Sequence, residues 1–178
     1  MSSDPGLDRL RELIRDIPDF PKPGIVFKDI TPLLGDQQAF ATAVDVIVDG
    51  FVGRNVNRVL GIEARGFIVA APVAYRLGAG LVPARKAGKL PWDTRGVSYE
   101  LEYGTERLEM HSDAVKEGDR VLVVDDVLAT GGTARAACEV VRDLGAEVVG
   151  VGVIIELGFL GGRKQLPDTE VFSIITYD

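Results

Sequence analysis

The sequence predicts an α/β fold, a mostly parallel sheet flanked by helices. Two apolar, β-branched runs of strand length, 119–124 and 148–155, have the composition of strands covered on both faces. Between them, 133–144 places Ala137, Val140, Val141 and Leu144 on one side of a helix. The same strand–loop–helix–strand order runs earlier, through 58–62, 66–77 and 81–85, and this alternation is the mark of a parallel sheet.

From the beginning of the chain, Leu7, Leu10, Leu13, Ile14 and Ile17 have the spacing of an amphipathic helix that stops before Pro18. A turn-rich DFPKPG follows, then the short extended piece GIVFKDI, which its prolines exclude from a central strand. Residues 19–32 are expected to form a small cap, so that 1–35 is a helix and hood segment. A helix is expected over 39–52, and the helix over 66–77 should be interrupted near Pro72. Alternation lapses over 86–103, KAGKLPWDTRGVSYELEY, which is rich in glycine, proline and charge. So long an irregular stretch suggests a flexible lid, with 86–98 the part expected to move. Residues 99–103 and 107–110 have the pattern of a hairpin around Gly104. The 178 residues suit one domain, since no repeat or long linker divides them.

A net charge of -7 argues against nonspecific nucleic-acid binding, though a local pocket can still be positive. Cys138, the only cysteine, excludes an internal disulfide and a thiolate-rich metal site. The opening MSSDPGLDRLREL has no apolar core of a secretory signal, and the apolar stretch 147–156 is too short to cross a bilayer. A soluble, cytoplasmic protein is expected. His111 has no histidine or cysteine companion and reads as structural, and Trp92 has no assignable role.

The strongest motif is VLVVDDVLATGGTA. A buried strand ends in Asp125 and Asp126, and the turn Ala129, Thr130, Gly131, Gly132, Thr133 opens a helix. Loops at the carboxyl ends of parallel strands face the crevice where such sheets bind ligands. Paired glycines let a backbone approach an anion, and a helix N-terminus adds free N–H donors and partial positive charge. Two carboxylates before that cradle suit the vicinal hydroxyls of a sugar phosphate such as ribose 5-phosphate. The plain alternative, a threonine-capped helix start with two solvated acids, leaves the acids and doubled glycine unexplained. No lysine follows the glycines as in a nucleotide-triphosphate loop, and no dinucleotide fingerprint follows a strand.

A second strand-to-helix turn, GIEARGF, presents another N–H cluster with Arg65, which can grip phosphate in two-pronged fashion or make an ordinary surface ion pair. Arg85, Lys86 and Lys89 form a basic cluster at the root of the lid.

DDVLATGGT resembles the signature of the type I phosphoribosyltransferases that binds phosphoribosyl pyrophosphate (PRPP), in the form found in adenine-specific members. DFPKPGIVFKDITPLL, GIEARGFIVAAPVA, RKAGKLP, SYELEYGTERLEMH and VIIELGFLGGR are similar too, in family order over nearly the whole chain. The resemblance implies the fold of that family and transfer of phosphoribose from PRPP to adenine, giving AMP and pyrophosphate in purine salvage. It assigns Asp125, Asp126 and 129–133 to ribose and phosphate, and Glu63, Ala64, Arg65, Arg85, Lys86 and Lys89 to pyrophosphate. A non-proline cis peptide is expected at Glu63–Ala64. It makes Glu102 a candidate for proton handling at the purine nitrogen, with Tyr103 closing over the reaction centre. Val26 would offer backbone hydrogen bonds to adenine, Phe27 would stack on it, and Leu157 would cover the other side. The resemblance also implies Mg²⁺ carried on PRPP with no protein metal cage, and a homodimer. Two other readings remain: a PRPP-sensing regulator of the same fold, and a transferase for another base.

Overall fold

A computed structural model of the protein describes residues 5–100 and 105–178. The chain divides into two compact units, 1–46 and 47–178.

The smaller unit contains helix α1 (Pro5–Glu12), strands β1 (Arg15–Pro18) and β2 (Val26–Asp29), helix α2 (Thr31–Gly35) and the start of α3 (Gln37–Phe51). The expected helix over 7–17 is therefore shorter than its periodicity suggests. The chain leaves it after Glu12 because 15–18 pairs antiparallel with 26–29. Charge complementarity fixes that register: Arg15 lies opposite Asp29 and Asp16 opposite Lys28, and both pairs are bonded, at 2.7 and 2.6 Å. Asp29 also accepts the Thr31 hydroxyl and N–H. These bonds, with Arg15, hold its pKa down at about 2.

The larger unit is built on a seven-stranded sheet. Its strands are β3 (Arg58–Ile62), β4 (Gly80–Lys86), β5 (Thr94–Glu100), β6 (Thr105–His111), β7 (Arg120–Leu128), β8 (Glu147–Leu157) and β9 (Val171–Tyr177). Their order is β5-β6-β4-β3-β7-β8-β9. The five strands from β4 to β9 run parallel, while β6 is antiparallel to both β4 and β5. Val121, Leu122, Val123, Val124, Val151, Ile154 and Ile155 are fully buried, which accounts for their unbroken apolar runs. Helix α5 (Gly132–Asp143) contributes Ala136, Ala137, Cys138 and Val141 to the core. Burial raises the Cys138 thiol to about 11, in keeping with a small core residue.

Helix α4 (Arg65–Leu77) is continuous, with Pro72 inside it, where an interruption was expected. A proline removes one backbone bond, and the carbonyl it deprives belongs to Ile68, an exposed residue that water can reach. The described part of the stretch 86–103, residues 86–100, is also more regular than expected. Strand β5 begins at Thr94 and pairs with β6 from Thr94↔His111 to Glu100↔Thr105. The hairpin is thus longer than the pattern over 99–110 indicated, and its alternation is diluted because Gly96 packs against the Leu108 carbonyl.

Candidate active site

The paired acids stand where the central sheet parts. Pairing between β3 and β7 ends at Gly61↔Val124, whereas β7 continues beside β8 to Leu128, so Asp125 and Asp126 line the opening left by β3. The strand was expected to end with them; pairing on the β8 side carries it on to Leu128. Asp125 Oδ1 accepts the Asp126 N–H at 2.9 Å. Burial, then repulsion from the Asp126 carboxyl, pushes the Asp125 pKa well above the usual carboxylate range. Helix α5 opens directly beyond. Its cap position is Gly131, at φ 86°, and no side chain caps the helix. The first-turn N–H groups are therefore available to an anion, and the threonine-capped alternative is not what the chain adopts. A cavity of about 80 Å³ lies here, lined by Asp125, Ala129, Thr130, Gly131 and Thr133.

The second turn meets the first. The Glu63–Ala64 peptide is cis, and α4 starts at Arg65 with no side-chain cap. Arg65 Nε lies 2.5 Å from Asp126 Oδ2, pairing a half-exposed guanidinium with a buried carboxylate. A Cβ on Gly66 would sit 2.8 Å from Asp125 Oδ1, so glycine is what permits the α4 N-terminus to approach the acids. Two helix N-termini distant in sequence thereby converge on one carboxylate pair.

The basic cluster is organised by Glu63. Its carboxylate accepts from Arg85 Nη2 at 2.8 Å and from the Lys86 N–H at 2.9 Å. The Arg85 bond is the main reason its pKa is lowered, with further attraction from Lys89. Arg85 Nη1 in turn donates to the Lys89 carbonyl at 3.0 Å. Of the residues assigned to pyrophosphate, then, Glu63 acts as the anchor that holds the Arg85 guanidinium and the Lys86 backbone.

Sequence reasoning missed Tyr99 and Glu106. The buried Tyr99 hydroxyl donates to Glu106 at 2.9 Å, and the Tyr99 ring lies 3.5 Å from where a Cβ on Gly132 would sit, so β5 packs against the 129–133 turn. Glu106 also binds Lys86 Nζ at 2.6 Å. The alternation that buries Tyr99 and exposes Glu100 was visible, but the cross-strand partner was not. A cavity of about 530 Å³, with Tyr99, Glu100, Thr130, Gly132 and Arg135 in its lining, lies alongside. Glu102 and Tyr103 fall outside the described residues.

The residues assigned to the base belong to different units. Val26 and Phe27 lie on β2 of the smaller one; Val26 is half-exposed, and the Phe27 ring meets Phe20 edge-on at 5.2 Å. Leu157 ends β8 of the larger one.

Three or more histidine, cysteine or carboxylate groups do not converge anywhere among the described residues. The donor set at the phosphate loop, a carboxylate with backbone and hydroxyl oxygens, nevertheless suits a hard, oxygen-seeking cation held mainly by its ligand.

Residues 36–178 match the family model described as "Phosphoribosyl transferase domain". The adenine phosphoribosyltransferase of Geobacter metallireducens is 57% identical, over 96% of this chain and 100% of its own length. That of Acidothermus cellulolyticus is 61% identical, over 91% and 92%. Among solved structures, the Rhodothermus marinus adenine phosphoribosyltransferase superposes with a TM-score of 0.93 at 49% identity, covering 97% of this chain and 98% of that one. The Saccharomyces cerevisiae enzyme, solved with an imino-altritol bisphosphate and adenine, gives 0.91 at 36% identity, covering 96% and 98%.

Proposed function

Because this chain belongs to the adenine phosphoribosyltransferases, we propose that its acidic pair and its two uncapped helix N-termini grip opposite ends of one PRPP molecule. The protein converts adenine and PRPP into AMP and pyrophosphate. A bond forms between a ring nitrogen of adenine and ribose C1, and the bond from C1 to pyrophosphate breaks. The observation that carries the assignment is the meeting of Arg65 and Gly66 with Asp126 and Asp125.

In this reading the 5-phosphate sits on the N–H groups of 131–133, with Thr130 and Thr133 donating their hydroxyls. Asp125 and Asp126 accept from the ribose hydroxyls. Arg65, Arg85, Lys86 and Lys89 receive the pyrophosphate and stabilise the charge it gains on leaving, while Glu63 keeps the cations aimed. Glu102 handles the proton that adenine loses, and Tyr103 covers the reaction centre. Val26 offers backbone hydrogen bonds to the base, Phe27 its ring, and Leu157 an apolar contact. Backbone polarity of this kind separates a 6-amino from a 6-oxo purine, because donor and acceptor reverse at that edge. The segment 86–103 acts as the lid that excludes water.

Mg²⁺ accompanying PRPP would offset the charge of the pyrophosphate, with Asp125 and Asp126 as its available carboxylates. A homodimer is assigned from the family; exposed Ile68 and Tyr75, seven residues apart on α4, supply an apolar strip that a second copy would cover. A cytoplasmic setting accords with the free thiol of Cys138.

Separate titrations with ribose 5-phosphate and pyrophosphate test the two-ended grip. Thr130→Val should weaken ribose 5-phosphate about tenfold, the cost of one bond to a charged group, and spare pyrophosphate. Lys86→Met should do the reverse. Variants that weaken both ligands equally, or neither, contradict the assignment.

A further inference from the structure

The phosphate loop rests on a backbone floor supplied from elsewhere in the chain. After Leu157 the chain makes two short 3-10 turns, Gly158–Leu160 and Gly162–Gln165. Gly162 is buried and pressed against the loop: a Cβ on it would lie 2.1 Å from the Ala129 carbonyl oxygen and 3.0 Å from the Gly131 nitrogen. Reciprocally, a Cβ on Gly131 would lie 2.3 Å from the Gly162 oxygen. Neither backbone leaves room for a side chain on the other, and Gly131 is the residue from which α5 springs. Gln165, in the same turn, lines the larger cavity together with Thr130 and Gly132.

Arg163, the next residue, ties that turn to the sheet. It donates from Nε to Glu156 Oε1 at 2.9 Å and from Nη2 to Oε2 at 2.5 Å. It also donates from Nη1 to the Val171 carbonyl on β9 at 2.8 Å. Glu156 is buried at the end of β8 and takes a further bond from Ser173 at 2.8 Å. The two-pronged pair lowers the Glu156 pKa, so the carboxylate stays ionised and the clamp holds near neutral pH. Glu156 directly precedes Leu157, the residue assigned to the base.

We propose that Arg163 is a positioning residue of the transferase: clamped by Glu156, it holds the Gly162 backbone as the floor that sets the shape of the PRPP loop. A loop already in its binding shape loses less freedom when phosphate arrives, so the clamp acts on PRPP affinity before it acts on chemistry. The inference rests on the PRPP reading of residues 129–133.

The test compares wild-type protein with Arg163→Met, Arg163→Lys, Gly162→Ala and the double variant Gly162→Ala/Arg163→Met. Ribose 5-phosphate binding is measured by calorimetry, and KM for PRPP and kcat by steady-state kinetics. Arg163→Met should raise the ribose 5-phosphate Kd and the PRPP KM together, about tenfold, with a much smaller fall in kcat at saturating PRPP. Arg163→Lys, which keeps the charge but loses the fork, should fall between. The double variant should bind ribose 5-phosphate no more weakly than Gly162→Ala alone, because both changes remove one contact. Unchanged ribose 5-phosphate affinity in folded Arg163→Lys and Arg163→Met overturns the clamp. So does additive loss in the double variant, or a fall in kcat with KM unchanged. Wild-type protein that binds neither ribose 5-phosphate nor PRPP would overturn the PRPP reading itself, and the clamp with it.

Discussion

At the scale of single residues, the place proposed for Asp125 against the ribose works against stability. Its pKa is raised by burial and by the neighbouring Asp126, so the folded protein holds that proton to higher pH than the unfolded chain does. Stability from this group is therefore lost as pH rises above the ordinary carboxylate value of 3.8, and ionised Asp125 is a burden near neutrality. A ribose that donates hydroxyls to the carboxylate would relieve it. Asp125→Asn keeps the oxygen that accepts the Asp126 N–H while removing the charge. It should raise the melting temperature of the ligand-free protein at pH 7 and weaken PRPP binding at least tenfold, a typical loss for a hydrogen bond to a charged group. Thermal unfolding and PRPP titration on the same sample check both halves; a lower melting temperature, or unchanged affinity, would count against this account. Asp125 and its neighbours were legible in the sequence because adjacent acids, small residues and a helix start occur there without interruption. Tyr99 and Glu106 were not, since what gives them a place is a contact with Gly132 or Lys86, many residues away.

At the scale of elements, the strands and helices of the parallel layer were readable because burial on both faces imposes unbroken apolar runs. The places that departed from expectation share a cause, a partner distant in sequence. Leu13, Ile14 and Ile17 continue a helical spacing, yet 15–18 is claimed by the strand opposite, and β5 is ordered by β6 despite its glycine and charge. β9, which has an ordinary strand composition, went unremarked because no motif precedes it. The hood hairpin allows a direct check. The Asp29 pKa is about 2, through its bonds to Thr31 and Arg15, so its contribution to the hairpin is complete above 3.8 and is lost as pH falls towards about 2. Carboxyl-carbon NMR titration should place Asp29 near 2; a midpoint at the ordinary 3.8 would mean that these bonds do not persist in solution.

At the scale of the whole molecule, the large unit gathers its site from segments that the sheet order brings to one edge: 63–66 after β3, 85–89 after β4, the β5–β6 hairpin, and 125–133 at the end of β7. The turn at 158–165 is joined to them through Gly162. The chain's net charge of -7 does not oppose binding of an anionic substrate, because Arg65, Arg85, Lys86 and Lys89 are concentrated at that edge. Arg65, Arg85 and Lys86 make ion pairs with Asp126, Glu63 and Glu106 respectively. These carboxylates orient the cations, and under the proposed assignment an incoming pyrophosphate competes with them. The most direct test of the account is nucleotide formation from PRPP and Mg²⁺ with adenine, hypoxanthine, guanine, xanthine or orotate, the products being resolved. AMP and stoichiometric pyrophosphate are expected with adenine, and no nucleotide from the other bases. A product from another base in place of AMP, or PRPP binding without any turnover, would contradict the account.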